Sequence, residues 1–84
     1  MPRREKLFER VVQGDCANVP FSQLCALLKR LGFEERVRGD HHIFAKDGIE
    51  EILNLQPKGG SAKPYQVRQV RSVISKHKIE DADG

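Results

Sequence analysis

The sequence predicts an α+β domain in which helices cover one face of a three-stranded antiparallel sheet. Three observations point that way. Up to Leu31 the apolar side chains recur with helical spacing. From Phe33 they alternate with period two, interrupted by glycine-containing turns. Beyond a Pro/Gly-rich break the helical period returns at Val67. The expected order is α-α-β-β-β-α.

Over residues 3–13, Leu7, Phe8, Val11 and Val12 form the narrow stripe of a short amphipathic helix, which Gly14 stops. Residues 15–20 read as a linker turn. Residues 21–31 place Phe21, Leu24, Leu27, Leu28 and Leu31 on one helical face, with Ser22 as a cap near the start and Gly32 closing the end. Lys29 and Arg30 suit the macrodipole there. Phe33, Glu35 and Val37 then alternate with Glu34, Arg36 and Arg38 along a first strand that ends at Gly39-Asp40. Residues 42–45 make a second strand, Lys46-Asp47-Gly48 a hairpin turn, and residues 51–56 a third strand. Residues 56–62, with Pro57, Gly59 and Gly60, read as a flexible loop. Pro64 opens a last helix whose buried stripe is Val67, Val70, Val73 and Ile74, while Arg68, Arg71 and Lys76 point elsewhere. Residues after Ile79 form an acidic tail that is expected to fray. Without its first helix, the α-β-β-β-α order is the topology of double-stranded-RNA-binding domains.

Eighty-four residues make one small domain, better suited to a surface site on a compact scaffold than to a deep cleft. Cys16 and Cys25 show no tight ligand spacing, so neither a disulfide framework nor a zinc motif is suggested, and Cys25 reads as a small buried hydrophobe. No apolar run follows the basic residues at the amino end, so the expectation is a reduced, cytoplasmic protein with no membrane segment. The net charge is +3, from 15 basic and 12 acidic residues. Three of those acids, Glu80, Asp81 and Asp83, lie in the last six residues, so the body carries 15 against 9, or +6. A body this basic favours a polyanionic partner, RNA or DNA, over a membrane.

The stretch Gly39-Asp40-His41-His42-Ile43-Phe44 draws the most attention. Imidazole is the side chain best suited to act as acid and base near neutral pH. Its bland reading is one solvated histidine and one that fills a gap in the core. In a strand the two rings project to opposite faces, so only one can sit in the packed layer.

Three ordered motifs carry a family resemblance. They are Phe21-x-x-Leu24-x-x-Leu27-Leu28-x-x-Leu31-Gly32-Phe33, Gly39-x-His41-His42-x-Phe44, and Tyr65-Gln66-Val67-Arg68-Gln69-Val70-Arg71. Over residues 21–79 the chain resembles the HicA toxins of bacterial HicA–HicB toxin–antitoxin systems, and residues 1–20 look like an N-terminal extension. The resemblance implies a double-stranded-RNA-binding-like fold, messenger-RNA cleavage without a metal or other cofactor, and neutralisation by a HicB-type antitoxin. Carried over by position, Gly39 is the motif glycine, Asp40 replaces the usual serine, His41 is the variable residue and His42 the catalytic histidine, with His41 as second choice. A carboxylate at position 40 could hydrogen-bond a neighbouring imidazole and favour its charged form, or repel RNA phosphate.

Metal-free RNA cleavage needs a base for the 2′-hydroxyl proton, an acid for the leaving 5′-oxygen and positive charge for the phosphorane. His42 is the expected base. Lys63, Lys58, Arg36 and Arg38 are the candidates for binding phosphate, Lys63 first because it stands at the amino end of the last helix. Arg68 and Arg71 could serve RNA, the antitoxin, or nothing specific; Tyr65 could stack on a base or pack on a strand; His77 has no assigned role. The free protein is expected to be a monomer. A second reading keeps the topology but not the chemistry, a non-catalytic RNA-binding module, and a third is an interaction protein recognised through the surface around His42.

Overall fold

The computed structural model describes residues 3–81, with side chains from Leu7 onward, and its elements follow the expected order. Helices α1 (Arg3–Val12) and α2 (Phe21–Arg30) precede strands β1 (Glu34–Arg38), β2 (His41–Lys46) and β3 (Ile49–Leu55). A short ribbon, β4 (Pro57–Lys58) and β5 (Ser61–Ala62), leads into α3 (Pro64–Lys76). The three-stranded sheet is antiparallel in the order β1-β2-β3, so β1 and β3 are its edges.

Two-residue turns set the register. Gly39-Asp40 leaves Arg38 opposite His41, and Asp47-Gly48 leaves Lys46 opposite Ile49, so Lys46 belongs to the ladder rather than the turn. On the covered face, Phe44, Leu53 and Leu55 meet Leu24, Leu27 and Leu28 of α2 and the Val67, Val70, Val73, Ile74 stripe of α3. Leu7 and Val11 of α1 are buried in the same core, and so are Cys16 and Val19 from the segment expected to be only a linker.

The three helices end alike, in the Schellman arrangement. Gly14 and Asp15 donate to Val11 and Arg10, Gly32 and Phe33 to Lys29 and Leu28, and Lys78 and Ile79 to Ser75 and Ile74, all at 2.9–3.3 Å. The turn requires a left-handed residue, supplied by Gly14, Gly32 and, less comfortably, Lys78 at φ 51°. At Gly32 a Cβ would also stand 2.6 Å from the Lys46 Nζ, a flexible tip that can swing aside, so the positive φ is what requires glycine there.

Three expectations change. Residues 56–62 are not a loop but the β4–β5 ribbon, whose Gly59-Gly60 turn has both φ values positive, as a type I′ hairpin demands. The ribbon also replaces the Ser22 cap. Pro20 is the N-cap without a side-chain bond, and the Phe21 N–H donates instead to the Gly60 carbonyl at 3.0 Å. Finally, the chain does not fray directly after Ile79. The reversal at Lys78 docks Ile79 on the core and delivers Asp81 to Arg30, whose Nε donates to Oδ1 at 3.1 Å and whose Nη2 bonds Oδ2. Residues 82–84 lie outside the described residues.

β3 turns Glu51 toward the end of α3, where Lys76 Nζ and His77 Nε2 stand 2.7 and 2.8 Å from its oxygens. The bonds from Lys76 and then His77 hold the Glu51 carboxyl down at about 2. A depressed carboxyl stabilises the fold fully above its ordinary value of 4.5, and that contribution disappears as pH falls toward 2. The site is partly exposed, so the effect is modest and weakens with salt. Glu51→Gln is expected to lower the melting temperature at pH 7, with the gap to wild type closing at acid pH; parallel melting curves at all pH values would contradict it. Leu7→Ala is expected to cost about 2–5 kcal/mol, as for other buried leucines. An unchanged denaturant midpoint would mean that α1 is an appendage and not part of the core.

Candidate active site

β2 carries both histidines, and its pleat separates them. His42 shares the helix-covered face with Phe44, while His41 lies on the open face, paired with Arg38 and 3.0 Å from Asn54 Oδ1 through its Nδ1. The register places Glu35 opposite Phe44 and Val37 opposite His42, so Glu35 is on the covered face one pair away from the imidazole.

That placement brings Glu35 Oε2 to 2.7 Å from His42 Nδ1. An ionised carboxylate can only accept, so Nδ1 carries the proton and the neutral ring keeps its lone pair on Nε2. The bond from His42, helped by Lys29 whose Nζ is 3.4 Å from Oε1, holds the Glu35 carboxyl below its usual value. Phe21, the first residue of α2, meets the imidazole edge to face with ring centroids 4.8 Å apart. Cys25, one turn further along α2, lies beneath the same pair, and burial followed by the Glu35 charge pushes its thiol up to about 11. The His42 side chain retains 24% exposure, so the imidazole is not sealed from solvent.

The cationic candidates divide between two surfaces. Lys58 of the ribbon and Lys63 before α3 line an open groove with Asp40, Gln56 and Tyr65. Gln56 follows Leu55, the residue paired with His42, so this groove begins at the end of the sheet where the imidazole lies. Asp40 is held in it by a 3.2 Å bond from Gln56 Nε2. Pro64 has no N–H and the Gln66 N–H is bonded to the Lys63 carbonyl, so the positive character of this helix end rests mainly on the Lys63 ammonium. Arg36 and Arg38 are on the opposite face, beside Ile43 and His41. Tyr65 is half exposed at the groove, and Arg71 donates from Nε to the Val12 carbonyl at 3.0 Å, which fastens α1 to α3.

Glu35 and Phe21 as neighbours of His42 do not emerge from sequence reasoning, nor does buried Gln66, which accepts from the Gln56 N–H at 3.1 Å and so joins α3 to the groove wall. The available signal for Glu35 was its position: a charged side chain between Phe33 and Val37 in an inward register needs a partner.

The profile of the HicA toxin of bacterial toxin–antitoxin systems matches residues 21–82, most of the chain. The chain belongs to the HicA toxin family. This HicA-family protein is thus a toxin of a toxin–antitoxin system, with an antitoxin as its partner. No curated protein and no solved structure matches it. Residues 1–20, including all of α1, lie outside the matched stretch, although Leu7 and Val11 are buried in the shared core. Among the described residues of the toxin, no helix is long and apolar enough to cross a membrane.

The Glu35 contact makes a spectroscopic prediction. In the wild-type toxin the neutral His42 ring is expected to be the Nδ1–H tautomer, read from the two ring nitrogen shifts by NMR, and Glu35→Ala is expected to shift it toward the Nε2–H form that free imidazole prefers. Identical shifts in the two proteins would mean that Glu35 does not set the tautomer.

Proposed function

We propose that the toxin is a metal-independent endoribonuclease that cleaves messenger RNA with His42 as general base, and that a HicB-type antitoxin neutralises it. The observation that carries this reading is the 2.7 Å contact between Glu35 Oε2 and His42 Nδ1. A base must present a lone pair, and a carboxylate on one ring nitrogen leaves that lone pair on the other. Metal independence is what the family resemblance implies, and it is tested directly below.

In this mechanism His42 Nε2 takes the proton of a ribose 2′-hydroxyl. The 2′-oxygen bonds the adjacent phosphorus, the bond to the 5′-oxygen breaks, and the departing 5′-oxygen takes a proton from solvent water, while the imidazolium later releases its own to solvent. The products are a 2′,3′-cyclic phosphate and a 5′-hydroxyl. Glu35 stabilises the imidazolium that forms midway and acts through His42 as a positioning residue. Lys63 and Lys58 hold phosphates along the groove, where their charge also offsets that of the phosphorane. Arg36 and Arg38 add to the basic surface from the far face. Asp40 occupies the position of the family's usual serine, and its bond to Gln56 draws the carboxylate toward the groove wall. Its substrate assigns the toxin to the cytoplasm. Covering the imidazole would be sufficient for the antitoxin to silence it.

RNA cleavage by purified toxin in excess EDTA, wild type beside His42→Ala, tests the reading. Wild type is expected to cut, and the variant to lose about 10²–10⁴-fold, the usual worth of a general base. Equal cleavage by both would move the chemistry to His41 or to a contaminating nuclease. RNA bound but uncut by the wild type would make the protein a non-catalytic RNA-binding module.

A further inference from the structure

Three side chains from three elements converge at the imidazole: Cys25 from α2, Glu35 from β1 and His42 from β2. One ligand atom of each lies within 4.8 Å of the other two. A carboxylate, an imidazole and a thiolate, formed as the ion displaces the Cys25 proton to solvent, make the mixed S/O/N set that suits zinc, whereas magnesium and calcium prefer all-oxygen shells. We propose that Cys25, Glu35 and His42 form a zinc site, and that zinc bound there inhibits the toxin.

Tetrahedral zinc holds such atoms about 3.3–3.6 Å apart. The Nδ1···Oε2 pair, at 2.7 Å, would therefore open by roughly 0.6–0.9 Å while the sulfur closes in. In the metal-free state a proton bridges the two atoms between which the ion would sit. Cys25 is buried, and Glu35 and His42 are partly exposed, so an ion and a fourth, water ligand have access from one side only. Lys29 is the opposing charge at the site, and its side chain is 57% exposed and long enough to swing away from Glu35.

Inhibition rests on the reading of His42 as the base; binding does not. A neutral imidazole has one lone pair. Whichever nitrogen the zinc takes, the ring's single proton must sit on the other, moving to Nε2 if the ion takes Nδ1, and no base remains.

The test titrates the full-length toxin with Co²⁺ as a spectroscopic stand-in, then displaces it with Zn²⁺. A thiolate-to-cobalt charge-transfer band is expected to saturate at one equivalent, to vanish on adding Zn²⁺, to be missing from Cys25→Ala and Cys25→Ser, and to persist in Cys16→Ala. In parallel, saturating zinc is expected to lower wild-type RNA cleavage by about 10²-fold, reversibly with EDTA, and to leave each Cys25 variant cutting as it does without zinc. No band in the wild type, a band that survives both Cys25 substitutions, or one lost in Cys16→Ala would overturn the site. Zinc that binds without slowing cleavage would overturn the inhibition. A wild type that never cuts RNA would end the ribonuclease reading, and the cobalt titration would still decide the metal site.

Discussion

Strand β2 cannot bury Phe44 without also turning His42 toward the helices, because side chains two apart on a strand share a face. Phe44 is fully buried and belongs to the core, so the imidazole is committed to the covered side. The two-residue turn at Gly39-Asp40 then aligns β1 so that Glu35, across from Phe44, comes within hydrogen-bond reach of Nδ1. A slip of one residue would send every one of these side chains to the other face. Core packing and the candidate chemistry therefore depend on the same register.

The sheet places a second carboxylate inward as well. Glu51 on β3 meets His77 much as Glu35 on β1 meets His42. Both lie on edge strands, where an acidic group can face the helices and still touch water. Such groups lose hydration without adding apolar contact, so each needs its partner. The Glu51 pair fastens the end of α3 to the sheet, whereas the Glu35 pair leaves one ring nitrogen uncommitted. The same chemical couple serves cohesion at one edge and, in the proposed mechanism, general-base chemistry at the other.

Most of the architecture was legible because period governs it. The Leu24, Leu27, Leu28 stripe, the Phe33-to-Val37 alternation and the Val67-to-Ile74 stripe each mark one element; the two helical stripes and Phe33 are buried as the period requires, whereas Val37, at the far end of edge strand β1, is exposed. Lys58, Lys63 and Asp40 stood out singly in the sequence, but the groove they share is built on the ribbon. What period cannot show is which side chains meet across register. Glu35 finds His42 only once the turn between them is known, and Arg30 finds Asp81 across 51 residues of chain. The ribbon was hidden for another reason: strands of two residues are too short to alternate, so Gly59 and Gly60 read simply as loop residues.

β1 has a consequence of a different kind. It is an edge strand, and its outer row of backbone donors and acceptors is not covered by another strand of the sheet. Four of its five residues, Glu34, Glu35, Arg36 and Arg38, are charged, in both signs. Charges on such an edge discourage a second copy from adding its own strand there, so the arginines protect colloidal behaviour as well as supplying basic surface. Neutralising Arg36 or Arg38 would therefore remove part of the barrier that keeps two copies from stacking edge to edge, which light scattering at the working concentration reads.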